Sequence, residues 1–265
     1  MLLSIRHTSR YQYDGPLLYA VQRLRLWPQS VGGQTVHRWD VKVEGAAPEV
    51  SYVDGFGNRT ELVRHIREFQ EIVITAEGVV ETEDRAGVFG SVQGFAPIWL
   101  FERTTPLTTA GEKIKELADT LPQDAKWLAK LHQLMDTIHD RMTFQAGTTN
   151  IYTTAEDALA QGVGVCQDYA HIFIATARYL NIPARYVSGY LLRPETTEQT
   201  AGHAWAEAHI DGLGWVGFDA TNNMCPNDSY VRIGCGLDYR DAAPVSGVRI
   251  GLAAETLAVE VNVEQ

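Results

Sequence analysis

Residues 202–219 read GHAWAEAHIDGLGWVGFD, and this stretch carries the strongest folding signal in the chain. Apolar and polar side chains alternate along residues 203–210, which is the period of a β-strand. Residues 211–213 supply a turn before a second strand, so the stretch predicts an antiparallel hairpin. A three-residue loop would bring Asp219 to the face that carries His203, diagonally across the ladder and within side-chain reach. A two-residue loop would shift the register and bury Asp219 on the alanine face, which costs several kcal/mol.

The segment upstream, residues 162–171, reads GVGVCQDYAH and predicts a tight turn that leads into an apolar helix over residues 166–180. Cys166 therefore falls at a helix N-terminus, where the helix dipole favours a thiolate. A thiolate is the nucleophile of covalent catalysis, and the free amides of the first turn can hold an oxyanion. A buried structural cysteine is the alternative interpretation. The imidazole and carboxylate of the hairpin favour a catalytic cysteine. The alternative for the hairpin is a surface element in which His203 and Asp219 occur together by chance.

Other titratable residues near these segments receive structural interpretations. His171 lies five residues beyond Cys166 along the helix, so its side chain points away from the sulfur, and we expect a core histidine. Asp168 is interpreted as a first-turn residue that stabilises the helix N-terminus. Glu207 is interpreted as a solvated or salt-bridged strand residue.

Metal-binding patterns are weak in this sequence. His203 and His209 are six residues apart, and a regular strand separates them by roughly 20 Å, which is too far for one metal ion. Cys225 and Cys235 occur without a CxxC or HExxH pattern. The sequence therefore predicts no metal site.

The spacing of apolar residues in the rest of the chain changes twice, from that of strands to that of helices and back. The first third is rich in Val, Ile, Tyr and Trp between turn residues, which predicts a β-sandwich. Helical spacing follows from residue 109 to about 142, with a break at Pro122, and again over 154–161, with Thr154 as N-cap. Strands then return. The predicted strands are 4–13, 23–27, 37–43, 49–53, 59–64, 71–80, 185–192, 203–210, 215–220, 230–233 and 257–263.

This order of elements predicts an α+β fold in which helices pack on an antiparallel sheet. We expect a β-rich N-terminal domain over residues 1–85 and a second domain over residues 86–265 that includes the C-terminal strands. The first region shows no concentration of chemically active residues. Packing or substrate gating is its expected role.

Composition restricts the possible partners and the compartment. The net charge of −11 and the pI of about 5.2 disfavour nucleic acid or an anionic membrane as the main partner. Three cysteines are too few and odd in number for a disulfide framework, and they suit a reducing compartment. No stretch resembles a signal peptide or reaches the roughly 20 apolar residues of a membrane span. These features predict a cytoplasmic protein.

Four ordered motifs resemble the core signature of the transglutaminase-like superfamily. The strands before residue 85 are similar to the β-rich region that precedes this core in many bacterial members, so the resemblance covers nearly the whole chain. Two departures are Ala220, where the family usually has proline, and Leu237, where relatives usually have arginine. The second removes a charge that could contact substrate, so specificity does not transfer. The motifs are CQDYAH (166–171), IPARYVSGY (182–190), HAW (203–205) and GWVGFD (214–219), and DYRDAAPVSG (238–247) resembles the C-terminal segment.

The resemblance implies a papain-like, transglutaminase-like core with a catalytic triad of Cys166, His203 and Asp219. The Cys166 thiolate attacks an amide carbonyl, His203 protonates the leaving amine, and water or a second amine resolves the thioester. The backbone amide of Cys166 is the first candidate oxyanion donor, and Gln161 is the candidate for the second. No cofactor is needed. The implied substrate is a peptide or protein amide, in the backbone or in a glutamine side chain.

Three functions stay open at this point. Amide or peptide hydrolysis, with water as the acceptor, is the leading hypothesis. A protein-glutamine transglutaminase with an amine acceptor is the close alternative, because an acceptor site need not leave a motif. A noncatalytic binding module is the third, although retention of all three triad residue types argues against it. The sequence predicts neither the substrate nor the oligomeric state.

Overall fold

The computed structural model describes residues 1–66, 68–91, 95–193 and 198–265. The elements, in chain order, are β1 (Leu2–Leu17), β2 (Tyr19–Leu24), β3 (Gln34–Val43), β4 (Pro48–Val53), β5 (Arg59–His65), β6 (Phe69–Thr82), β7 (Val88–Gly90), a 3-10 helix (Ile98–Glu102), α1 (Glu112–Asp119), α2 (Trp127–Arg141), β8 (Thr143–Phe144), α3 (Ala155–Gln161), β9 (Val163–Gly164), α4 (Cys166–Tyr179), β10 (Ala184–Leu191), β11 (Glu198–Gln199), β12 (His203–Ile210), β13 (Gly214–Phe218), β14 (Tyr230–Gly236), α5 (Tyr239–Ala242), β15 (Val245–Ile250) and β16 (Glu255–Glu264).

Two antiparallel sheets form the predicted β-sandwich. One sheet has the strand order β11–β16–β1–β6–β3, and the other has the order β15–β2–β5–β4. Alternate side chains of strands β1 and β2 point inward, as the period of two requires, whereas β4 is exposed along its whole length. The inward side chains meet in an apolar core that includes Leu17, Leu24, Val63, Ile72 and Ile74. The N-terminal sandwich expected from the sequence is confirmed.

The last two strands of the chain return to this sandwich. Strand β15 pairs with β2, and β16 pairs with β1 over ten residue pairs, from Ser4 opposite Glu264 to Tyr13 opposite Glu255. Strand β15 has no counterpart among the predicted strands, because Gly247 and its exposed neighbours interrupt the apolar pattern. The division of the chain at residues 85 and 86 stays a prediction, while the topology assigns residues 245–264 to the sheets of the first region.

The second part of the fold is an antiparallel sheet in the order β14–β10–β12–β13–β7, with helices on one face. Strands β12 and β13 pair Ala206 with Phe218, Ala208 with Val216 and Ile210 with Gly214. The three-residue hairpin loop is therefore confirmed. Helix α4 packs across the alanine face of β12 and is buried along nearly its whole length. The helices and the antiparallel sheet confirm the predicted α+β class.

The opposite face of this sheet is covered by the first region. Phe56, from the turn between β4 and β5, packs against a buried cluster that includes Trp205 and Tyr230. The structure buries Glu207 on this face with no exposed area, between Arg185 (Nε to Oε2 2.5 Å) and Arg232 (Nε to Oε1 3.1 Å). The predicted salt bridge is confirmed. The alternative prediction that Glu207 is exposed to solvent is wrong, because the first region excludes water from this face.

Two side-chain amides close the free edge of β14. The Asn58 Nδ2 donates to the carbonyl of Cys235 (2.8 Å), and its Oδ1 accepts from the Cys235 amide (2.9 Å). Gln34 makes the same pair of bonds with the backbone of Arg232, at 2.9 and 2.8 Å. Each amide thus replaces one residue of a neighbouring strand. Among the described residues, every helix falls short of the length and hydrophobicity that a membrane crossing requires.

Candidate active site

A tight turn delivers Cys166 to the start of helix α4. Helix α3 begins after Thr154, whose Oγ1 accepts from the amide of Asp157 (3.1 Å), so the predicted N-cap is confirmed. It ends at Gly162, which has a left-handed φ of 69°. At Gly164 a Cβ would lie only 2.7 Å from a carboxylate oxygen of Asp168. The two glycines therefore provide the turn and the close approach that the sequence predicts.

Asp168 fixes this turn from the first turn of the helix. Its Oδ2 accepts from the backbone amide of Val165 (2.7 Å) and from the Thr149 hydroxyl (2.7 Å). Burial raises the pKa of Asp168, and these two hydrogen bonds oppose that effect. The first-turn role expected for Asp168 is confirmed. The amide of Cys166 has no acceptor within the described ranges, so it is available to a ligand.

His203 and Asp219 form a buried pair at the open end of the hairpin, where β12 begins and β13 ends. The His203 Nε2 lies 2.6 Å from the Asp219 Oδ2, and neither side chain is more than 4% exposed. Asp219 also accepts from the Tyr230 hydroxyl (2.8 Å), the Asn222 side-chain amide (2.7 Å) and the backbone amide of Thr221 (3.0 Å). These donors hold the carboxylate in place, and the carboxylate in turn orients the imidazole.

The charge of this pair decides the protonation of His203. Burial lowers the pKa of His203, but the charge and hydrogen bond of Asp219, with a further contribution from Cys166, raise the pKa to about 10. Burial raises the pKa of Asp219, but the imidazolium and the hydrogen bonds have the larger effect and bring the pKa of Asp219 below its usual range. At neutral pH the pair is therefore an imidazolium and a carboxylate.

Cys166 and His203 line one cleft of about 270 Å³. Since Asp219 occupies the Nε2 of His203, the Nδ1 is the nitrogen left for the thiol of Cys166. The far wall belongs to the sandwich, through Tyr11 of β1 and Leu257 of β16. The structure thus brings the predicted thiol, imidazole and carboxylate to one place, between the core and the first region.

Other residues singled out in the sequence lie elsewhere. Gln161 is exposed at the end of helix α3 and does not line the cleft, whereas Gln167 does, so this placement gives no support to Gln161 as an oxyanion donor. His171 is fully buried, and its Nε2 accepts from the amide of Tyr239 (3.1 Å), which confirms the core interpretation. Within the described ranges, no three His, Cys, Asp or Glu side chains are grouped to hold a metal ion.

Tyr230 and Asn222 are site residues that the sequence analysis missed. Asn222 follows Asp219 by three residues, so its proximity could be read from the chain. Tyr230 lies on β14, which is separated from the hairpin by β10 in the sheet. Its contact with Asp219 depends on long-range pairing, and the local pattern carries no signal for it.

Replacing Asp219 by asparagine should lower the pKa of His203 from about 10 to near or below its ordinary value of 6.5. The amide keeps the shape of the carboxylate but removes the charge that opposes burial. A titration of the histidine ring resonances by NMR measures the change. Asp211→Asn, in the exposed hairpin loop, is the control and should leave the His203 titration as it is. An unaltered pKa of His203 in the Asp219→Asn protein would refute this origin of the shift.

The same variant has a pH signature in stability. Because the folded-state pKa of His203 is above 6.5, the contribution of the pair is complete below pH 6.5 and is lost as the pH rises through about 10. The lowered pKa of Asp219 adds a contribution that is present above its ordinary value of 3.8 and is lost as the pH falls. The stability difference between wild type and Asp219→Asn should therefore be largest between pH 3.8 and 6.5, as measured by urea unfolding.

Comparison with known proteins agrees with this architecture. Residues 115–220 match the transglutaminase-like superfamily, and residues 3–81 match the bacterial transglutaminase-like N-terminal region. An uncharacterized protein of Mycobacterium leprae is 29% identical over 282 residues, which cover 98% of each chain. An uncharacterized protein of Mycobacterium tuberculosis is 27% identical and covers 98% of this chain and 91% of its own. The crystal structure of a "Putative Cysteine Protease" from Cytophaga hutchinsonii is 25% identical, with a TM-score of 0.79 over 100% of this chain and 91% of that chain.

Proposed function

Since its core and its N-terminal region place the chain in the transglutaminase-like superfamily, we propose that it is a cysteine-dependent acyl-transfer enzyme that hydrolyses amide bonds. The observation that carries this proposal is the buried His203–Asp219 pair on the wall of the cleft that also contains Cys166. A charged imidazole beside a thiol at a helix N-terminus favours the thiolate form. This arrangement of nucleophile, base and orienting carboxylate is the one that covalent catalysis requires.

The proposed reaction has two half-reactions. The Cys166 sulfur attacks the amide carbonyl carbon, and the oxygen of the tetrahedral intermediate accepts a hydrogen bond from the free amide of Cys166. The His203 imidazolium gives its proton to the leaving amine as the C–N bond breaks, which leaves a thioester. His203 then takes a proton from water, whose oxygen attacks the thioester carbonyl; the C–S bond breaks, the acid leaves, and the Cys166 thiolate is restored beside the His203 imidazolium. Asp219 keeps the imidazole oriented through both steps.

The size and walls of the cleft support water as the acceptor. At about 270 Å³ it lies at the small end of ligand sites, and the sandwich strands β1 and β16 close one side. A cross-linking enzyme must bring two polypeptides to the same thioester, whereas water needs no binding surface of its own. The name of the Cytophaga hutchinsonii structure, "Putative Cysteine Protease", points the same way.

The test is to incubate the protein with a glutamine-containing peptide, with and without a primary amine. We expect ammonia release or chain cleavage in both cases, without amine incorporation into the peptide, as followed by mass spectrometry. Incorporation of the amine would identify a transglutaminase instead. Binding without turnover would identify a noncatalytic module.

A labelling experiment tests the thiolate independently of any substrate. Iodoacetamide below neutral pH should modify Cys166 faster than Cys225, which serves as the internal control because burial raises the pKa of the Cys225 thiol to about 11. Peptide mapping reads out both sites in one sample. Equal rates at Cys166 and at a free thiol such as glutathione would contradict a thiolate at residue 166.

A further inference from the structure

A second polar group lines the catalytic cleft and takes no part in the proposed reaction. It consists of His7 and Ser9 from β1 and Tyr190 from β10. The Nδ1 of His7 lies 2.8 Å from the Tyr190 hydroxyl, and its Nε2 lies 3.0 Å from the Ser9 hydroxyl. The three side chains are only 4%, 3% and 1% exposed in this order, so their hydrogen bonds are buried. We call this group the His7 trio.

The His7 trio has one hydrogen-bond donor more than it can use. Burial lowers the pKa of His7 to about 4, so its imidazole is neutral at neutral pH, with one N–H and one acceptor nitrogen. One flanking hydroxyl donates to the acceptor nitrogen, and the other hydroxyl accepts from the N–H. The accepting hydroxyl still carries its own hydrogen. Within the described residues the hydroxyl groups of Ser9 and Tyr190 have no hydrogen-bond partner besides His7. The hydrogen of the accepting hydroxyl is therefore free to bond to a group in the cleft.

A buried donor without an acceptor destabilises the protein, and a ligand that supplies the acceptor removes this cost, which adds to the free energy of binding. The trio lines the same cleft as Cys166 and His203. Apolar side chains such as Leu257 and Val259 line the cleft beside it. The trio is thus a directed polar contact beside apolar side chains, as is usual in sites that orient a ligand with few polar groups.

The space beside the cleft continues beyond the trio. A second hollow of about 460 Å³ shares Tyr11, Tyr239, Val245 and Leu257 with the catalytic cleft. A substrate longer than a single amide can therefore extend from Cys166 past these residues into the hollow.

We propose that the His7 trio is a substrate-binding site that donates a hydrogen bond to a peptide carbonyl of the acyl donor other than the carbonyl that Cys166 attacks. This inference rests on the proposed function, and it specifies the substrate class as extended peptides rather than simple amides. The first region then supplies part of the substrate recognition, through His7 and Ser9 on β1.

Two activated esters with the same leaving group test the proposal. The p-nitrophenyl ester of N-acetyl-glycylglycine carries two peptide carbonyls that p-nitrophenyl acetate lacks. Wild-type protein should prefer the peptide ester in kcat/KM, and the double variant Ser9→Ala with Tyr190→Phe should reduce this preference about tenfold. The single variants are measured in parallel; the His7 tautomer can switch when one hydroxyl is lost, so the double variant is the decisive one.

Thr8→Val is the matched control, because Thr8 lies between His7 and Ser9 on β1 but alternates to the other face. It should leave the preference unchanged. An equal loss on both esters, or a preference that survives removal of both hydroxyls, would overturn the binding site while leaving the proposed function intact. The proposed function fails separately if neither ester acylates wild-type protein at Cys166, and the binding site then fails with it.

Discussion

Replacing Cys166 by alanine should reduce turnover of any acyl donor by about a thousandfold or more, because the sulfur forms the covalent intermediate. The measurement is kcat/KM for a glutamine-containing peptide, together with the mass of the intact protein after rapid acid quenching. Wild-type protein should carry one acyl group in the quenched sample, and the Cys166→Ala protein should carry none. Alanine has high helix propensity, so helix α4 should keep its start.

Cys225→Ala is the matched control for this experiment. Cys225 is also half-buried, but it lies outside the catalytic cleft. Its loss should leave both the rate and the acyl adduct in place. Turnover that survives in Cys166→Ala protein, or an adduct that maps to another residue, would remove the basis for a thioester mechanism.

Replacing Glu207 by glutamine should lower the free energy of unfolding by about 3–5 kcal/mol. Burial raises the pKa of Glu207, but the two guanidinium groups of Arg185 and Arg232 lower it below its usual range, so the group is a carboxylate. Its removal leaves two buried cations without their counter-ion. Each already has one buried nitrogen without a hydrogen-bond partner in the described part of the chain, so the loss adds to an existing deficit of acceptors.

The control for this loss is Glu71→Gln. Glu71 also bonds to an arginine, Arg10 (2.8 Å), but both side chains are exposed to solvent. Water solvates each partner when the other is lost, so the change should be far smaller. Urea unfolding of the two variants beside wild type gives the comparison. A loss of equal size at both positions would show that burial of Glu207 has no special energetic role.

The sequence predicted the parts of the site that depend on local pattern. The two glycines before Cys166, the N-terminal position of this cysteine in its helix and the three-residue hairpin loop all follow from a few adjacent residues. The register then places His203 near Asp219, and the structure shows them 2.6 Å apart. The position of the thiol beside them required the family resemblance, because nearly forty residues separate Cys166 from the imidazole.

The contributions of the first region could not be read from the sequence. Alternation along β12 was interpreted with one face toward water, as is common in antiparallel sheets. The face that carries Glu207 is covered by side chains such as Phe56, which are about 150 residues away in the chain. His7 and Ser9 look like ordinary alternating positions of β1, and only the three-dimensional pairing brings them to the cleft.

The side-chain amides of Asn58 and Gln34, which bond to the edge of β14, affect the tendency of the protein to aggregate at high concentration. An open strand border presents unpaired backbone groups that can recruit a strand from another molecule and begin aggregation. Here two side chains from the first region occupy the backbone groups of Arg232 and Cys235 on that border. The β-sandwich therefore blocks intermolecular strand pairing at this edge, in addition to forming one wall of the cleft.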